Sequence, residues 1–192
     1  MRKRARLNGL FLFLILIAIF FLRPSTLFAN TLSNHLFEIF GLILSLFGQI
    51  IRISARGYKA EGSGQSSLLL TDGPYAVSRN PMYFGTFLIG FGVCLIYGNL
   101  WLFLLFLLLF TLRYYFIISS EKRRLLLLFK KDYQAYLHRV PAFSPSFRTI
   151  RKFGMRNSFP FKKKWINREI NTFLFWLLVV LFILLYKWHV YS

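Results

Sequence analysis

Leu70-Thr71-Asp72-Gly73-Pro74-Tyr75-Ala76-Val77-Ser78-Arg79-Asn80-Pro81-Met82-Tyr83-Phe84-Gly85 opens the stretch on which the fold turns. From Met82 the chain is apolar to Tyr97, and again from Leu100 to Ile118, with only Gly98-Asn99 between the two runs. A connection that short joins two helices in a tight antiparallel hairpin. Both runs approach the roughly 20 residues that carry a helix across about 30 Å of hydrocarbon. Polar blocks flank the pair: Arg79-Asn80 before it, then Glu121-Lys122-Arg123-Arg124-Leu125, Phe129-Lys130-Lys131-Asp132-Tyr133-Gln134-Ala135-Tyr136 and Val140-Pro141-Ala142-Phe143-Ser144-Pro145 after it. If the hairpin spans a membrane, both blocks return to one face. A water-soluble reagent and a lipid-borne molecule can meet there.

The rest of the chain fits a membrane setting. Over 192 residues, 56% are hydrophobic and the mean hydropathy is +0.53, which excludes an ordinary soluble domain. Three further apolar runs are expected to span: Leu7 to Leu22, Leu36 to Ile51 and Thr172 to Tyr186. The first follows Met1-Arg2-Lys3-Arg4-Ala5-Arg6 and ends at Arg23-Pro24. It reads as an uncleaved anchor rather than a leader, because Leu27 occupies a position where a cleavage site after Ala29 prefers a small residue. Gly57, Gly62 and Gly64 argue for an irregular loop over Arg52 to Ser67, and Ser119 to Arg168 reads as a long basic segment. Trp188 and Tyr191 suit the membrane interface beyond the last run.

A net charge of +19 would suggest nucleic acid in a soluble protein. The distribution suggests a membrane instead. With five spans and the N-terminus inside, the inner flanking segments hold 22 Lys and Arg and the outer ones hold two, Arg23 and Lys187. That bias is the positive-inside pattern. Cys94 is the single cysteine, in an apolar run, so no internal disulfide forms. His35, His138 and His189 fall in different segments, and no metal-ligand spacing is present.

In order and spacing, Gly73-Pro74-Tyr75, Arg79-Asn80-Pro81-Met82-Tyr83-Phe84-Gly85, Glu121 with Leu125, Phe129 with Tyr133 and Tyr136, and Val140-Pro141 with Pro145 resemble the isoprenylcysteine carboxyl methyltransferases. More broadly they resemble the membrane methyltransferases that include the phospholipid methyltransferases. The resemblance covers Leu70 to Pro145, 76 of 192 residues. It implies an all-α, polytopic integral membrane protein without a Rossmann sheet, and S-adenosylmethionine as methyl donor. Two positions depart from the pattern: Lys122 stands where a second Glu is usual, and Lys130 where a Gly is usual.

Eight residues are candidates for holding the donor. The planar fork of Arg79 suits the donor's carboxylate; the alternative is an anchor on lipid phosphate. Pro81 suits the first turn of a helix, with Asn80 as its N-cap and exposed N–H groups for an anion. Tyr83, one turn in, suits the nucleoside or the interface. Gly85 admits either a ligand or a neighbouring helix. Glu121 suits the amino group or ribose of the donor, or a salt bridge to Arg124 or Lys122. Tyr133 and Tyr136 share a helix face and read as an interfacial lid, or as ordinary packing. Gly92 and Asn99 also align with the carboxyl methyltransferases, but Asn99 lies about 24 Å along the helix from Tyr83 and reads as a turn residue.

The chain therefore divides into an N-terminal part with the first spans and a loop (1–69), a methyltransferase core (70–145), and a basic juxtamembrane segment with the last span (146–192). In that last part Lys162-Lys163-Lys164, interleaved with Phe159, Phe161 and Trp165, suits anionic lipid headgroups better than nucleic acid. The expected setting is a bacterial inner membrane with the site on the cytoplasmic side. The expected acceptor is a lipophilic small molecule carrying a carboxylate or an amine. A phospholipid N-methyltransferase, a sterol-type reductase and a non-catalytic basic membrane protein are the rival readings.

Overall fold

The computed structural model describes residues 31–62 and 69–191. The expected first span, Leu7 to Leu22, lies outside the described residues. Among the described residues all regular structure is helical: α1 (Thr31–Gly62), α2 (Pro74–Val77), α3 (Pro81–Tyr97), α4 (Leu100–Arg139), α5 (Phe147–Phe153), α6 (Met155–Ser158), α7 (Lys163–Ile166) and α8 (Ile170–Tyr191). Helices α1, α4 and α8 are long and apolar enough to cross a membrane, and α3 is a shorter apolar helix packed among them. The protein is an all-α polytopic membrane protein.

The hairpin forms as its sequence requires. Gly98 closes α3 in the left-handed conformation at φ 76°, its N–H donating to the Cys94 carbonyl at 3.0 Å, a conformation that favours glycine. Asn99 then caps α4, its side chain accepting from the Leu102 N–H at 3.1 Å. Two residues thus end one helix and start the next.

Helix α1 runs antiparallel to α3 along a glycine seam. A Cβ at Gly41 would sit 2.6 Å from the Gly92 carbonyl oxygen, and one at Gly48 would sit 2.6 Å from that of Gly85. Seven residues forward on α1 match seven residues back on α3, so the two backbones touch twice. Small residues at such a seam replace the hydrophobic drive that lipid removes. On another side of α3, Ile96 and Tyr97 pack with Leu102, Phe106 and Phe110 of α4 and with Trp176, Val180 and Ile183 of α8. The three sequence divisions therefore pack together as one bundle.

Polar contacts mark the two ends of that bundle. At the end carrying Gly98, Lys187 of α8 donates to Glu38 of α1 and, at 3.1 Å, to the Ile96 carbonyl. At the opposite end Arg52 and Arg56 of α1 meet Glu169, just before α8.

Two expectations are corrected. The loop expected from Arg52 is helical to Gly62, because Gly57 is there for packing and not as a breaker. A Cβ on it would overlap the ring of Trp165, which is 1% exposed. The helix that carries the expected fourth span runs on past Ile118. Helix α4 continues to Arg139, with a kink at Lys130, and no proline or glycine interrupts the chain from Ile118 to Val140. The segment after it carries the short helices α5 to α7.

Candidate functional site

The parts of the site are held together by hydrogen bonds between segments more than 60 residues apart. The Arg79 N–H donates to the Pro141 carbonyl at 2.9 Å, the Asn80 side-chain amide to the Ala142 carbonyl at 2.7 Å, and the Ser78 hydroxyl to the Phe143 carbonyl at 2.7 Å. The Ser146 N–H donates back to the Val77 carbonyl at 2.7 Å. Residues 77–80 and 141–146 thus form one stitched strip. Asn80 precedes Pro81 at the start of α3, but its side chain makes no cap. It is spent on the strip, which corrects the expected capping role. Pro81 is fully buried at the first helical position.

Above the strip, α4 bends. Lys130 has φ 39° and ψ −111°, the one positive φ on a residue other than glycine among the described residues. This is the position where the resembled pattern carries Gly, so a conformation suited to glycine is met by a lysine. The bend carries Tyr133 and Tyr136 inward, where both are 4% exposed and pack with Val140, Leu69, Leu125, Phe129 and Leu137. The lid expected at the interface is therefore a bent continuation of α4 with its tyrosines in a core. The Tyr136 hydroxyl donates to the Tyr75 carbonyl at 2.6 Å, and the Tyr75 hydroxyl to the Ala55 carbonyl at 3.4 Å.

Arg79 and Glu121 flank these rings. Burial pushes the Tyr133 hydroxyl above the usual phenol range; the positive charge of Arg79 opposes this, Glu121 adds to it, and a hydrogen bond with Arg79 lowers it again. Burial also raises Tyr75, with Glu121, Tyr136 and Tyr83 adding to the shift, and raises Tyr136, with Tyr133 adding and Arg79 opposing. All three phenols stay protonated at neutral pH; Tyr75 and Tyr136 donate to backbone carbonyls, and Tyr133 accepts from Arg79. Tyr83 packs on Tyr114, ring centroids 4.9 Å apart, and donates to Glu121 Oε2 at 3.2 Å. Lys59 of α1 reaches Glu121 Oε1 at 3.5 Å. Glu121 is thus paired across the bundle, with Tyr83 and Lys59 rather than with Lys122 or Arg124 on its own helix. Gly85 lies on the seam with α1, where a Cβ would meet the Gly48 carbonyl at 2.7 Å and the Arg52 side chain at 2.8 Å.

The residues present fit a zwitterionic nucleoside. The Nε of Arg79 is buried without a partner among the described residues. Glu121, whose side chain is 32% exposed, holds two hydrogen bonds of the roughly four that a carboxylate accepts. A cleft of about 460 Å³ opens beside them, lined by Tyr58, Glu61, Gly62, Leu69, Leu70, Thr71 and Asp72. None of the eight residues named from sequence lines it. It adjoins their cluster through Leu69, which packs on the tyrosines.

Sequence reasoning missed Lys59, which it placed in a loop, and Tyr114, hidden in an apolar run. It also missed a second charged cluster at this end. Glu169, 1% exposed, accepts from Arg52 at 3.1 Å and from Arg56 at 2.9 Å. Arg52 also donates to the Thr86 hydroxyl, and Thr86 donates to the Met82 carbonyl at 2.9 Å. A chain of polar contacts therefore runs from Glu169 into the first turns of α3.

Apolar helices thus enclose a cluster of arginine, glutamate and tyrosines at one end of an all-helical membrane protein. Comparison carries this further. The family model described as phospholipid methyltransferase matches residues 36–132, half of the chain, and the chain belongs to that family. The match begins inside α1 and ends beyond the bend of α4, so it takes in the glycine seam, the hairpin, Arg79 and Glu121. Searches of curated proteins and of solved structures each found no match.

Proposed function

We propose that this membrane methyltransferase uses S-adenosylmethionine as donor, holds it between Arg79 and Glu121, and methylates a lipid-borne acceptor. The observation that carries the proposal is the convergence of those two residues on one tyrosine-ringed cluster, with Arg79 Nε and half of the capacity of Glu121 uncommitted. Arg79 suits the donor's carboxylate and Glu121 its ammonium or ribose hydroxyls. The ring faces of Tyr83, Tyr133 and Tyr136 favour a nearby cation, and the donor supplies its methyl group on a sulfonium. The protein's part is alignment and exclusion of water. Asn80, Pro81 and Gly85 shape the site through the strip, the first turn of α3 and the helix seam.

Family membership favours a phospholipid amine as acceptor, and the motifs from Gly73 to Pro145 favour an isoprenoid-linked carboxylate. An amine must lose a proton, and Glu121 is the one carboxylate of the cluster. A carboxylate acceptor needs no base. The charge bias of 22 to two supports a cytoplasmic site in a bacterial inner membrane.

Purified protein in detergent, given methyl-labelled donor and a total lipid extract, should place label in the lipid phase. Base-stable label means an amine; base-labile label released as methanol means a carboxyl ester. No transfer, together with no calorimetric donor binding, would overturn the proposal.

A further inference from the structure

The stretch from Tyr133 to Arg168 contains no acidic residue. Two groups stand out among its cations. Lys162 and Lys164 pair with Glu61 at the surface, each at 2.6 Å; these contacts and a hydrogen bond from Trp165 hold the Glu61 carboxyl down to about 2. Arg148, Arg151, Arg156, Lys163 and Arg168 are exposed and make no ion pair among the described residues. Two of the three charges in the Lys162-Lys163-Lys164 run are thus paired with Glu61, and the unpaired charge comes mainly from arginines.

Large apolar side chains stand out on the same segment. Phe147 is 80% exposed, and Met155 and Phe161 are each 50% exposed. They cannot simply turn inward, because the segment is fixed beneath them. Trp165 is seated on Gly57 and donates to Glu61 at 2.9 Å. Phe159 is buried with Val77 and Ile51, and Ile150 packs against them. Ser146 is tied to Val77. The segment thus presents exposed rings and cations together, at the end of the bundle that holds Arg79 and Glu121.

We propose that α5 and α6, with Phe161 and Lys163, form a docking surface for the anionic phospholipid headgroups of the leaflet around the protein. The arginines meet the phosphates, and Phe147, Met155 and Phe161 enter the boundary between headgroups and acyl chains. Charge complementarity supports this occupant: a stretch without acidic residues beside a bilayer attracts anionic lipid, and cations with aromatic side chains are the composition of interfacial segments. The inference goes beyond methyl transfer and does not depend on it.

The test uses the full chain in phosphatidylcholine nanodiscs containing spin-labelled phosphatidylglycerol or spin-labelled phosphatidylcholine. Electron paramagnetic resonance reads the immobilised fraction of each. The wild type should prefer the anionic lipid by about tenfold, and R148Q/R151Q/R156Q should bring that preference to within about twofold of unity. Added salt should weaken the wild-type preference in the same direction, a readout that needs no variant. Equal immobilisation of both lipids by the wild type, or a preference unchanged by both the substitutions and salt, would overturn the docking surface. So would binding of a short DNA by these arginines without any lipid preference.

Discussion

Glu121 and Glu169 stand at the same end of the bundle in opposite surroundings. Glu169 has no exposed side-chain surface and is held by Arg52 at 3.1 Å and Arg56 at 2.9 Å. Glu121 is 32% exposed, receives one phenol, and meets its lysine at 3.5 Å. Their cationic partners lie on one helix, Arg56 only three residues before Lys59. A saturated, dry carboxylate joins helices, and a half-satisfied, wet one is free to receive a ligand. A buried carboxylate is therefore the poorer candidate for chemistry here, although it draws the eye first.

The largest expected effect falls on Glu169. Glu169→Gln strips the charge from a buried cluster and should cost about 3–5 kcal/mol of stability, read as a lower melting temperature in detergent. Burial raises the Glu169 carboxyl, but Arg52, Arg56 and Thr172 outweigh it and hold the group below the usual carboxylate range. A lowered folded value contributes stability that is full above the unfolded value and lost as pH falls through the folded one. The melting difference between wild type and Glu169→Gln should therefore close on acidification below the ordinary carboxylate range. A gap that persists there would mean that Glu169 acts through packing and not through charge.

The next effect tests the open side of the comparison. Arg79→Ala should weaken S-adenosylmethionine binding by about 1.5–3 kcal/mol, roughly 10- to 150-fold, with the melting temperature nearly unchanged. Wild-type affinity in the folded variant would return Arg79 to the role of lipid anchor. Glu121→Gln should weaken the donor less, by about tenfold, since Lys59 and Tyr83 can still hold the amide. Combined with Arg79→Ala it should be non-additive if both residues hold one molecule. Strict additivity would make Glu121 a structural partner like Glu169, and the comparison would collapse.

The smallest effect lies at the bend. Lys130→Gly places glycine at a φ of 39° and should raise stability by about 1 kcal/mol, measured as a higher melting temperature. No gain would mean that the helix relaxes around the lysine at no cost.

Much of this was legible in the sequence, where the signal was local. Gly98-Asn99 is a stop and a start in adjacent residues, and the structure uses both. The spacing of the motifs led to Arg79 and Glu121 at one end of a hairpin. What escaped depends on partners far along the chain. Gly57 looked like a breaker because Trp165, its reason for being glycine, is 108 residues away. Asn80 has the side chain of a cap, but a carbonyl 62 residues later claims it. Glu169 lay beyond both the motifs and the family match, at the edge of a segment read only for its positive charge.

The stitched strip has a consequence for the order in which the protein is made. Residues 77–80 leave the ribosome early, and their partners at 141–146 follow only after both arms of the hairpin. Until then the Arg79 and Asn80 donors have no Pro141 or Ala142 to meet, and the approach to α3 is untethered. The cluster of Arg79, Glu121 and the tyrosines cannot be assembled piecemeal as each helix inserts. A nascent chain halted before Pro141 would already contain Arg79, Tyr83 and Glu121, yet it would lack the hydrogen bonds that hold Arg79 in its place.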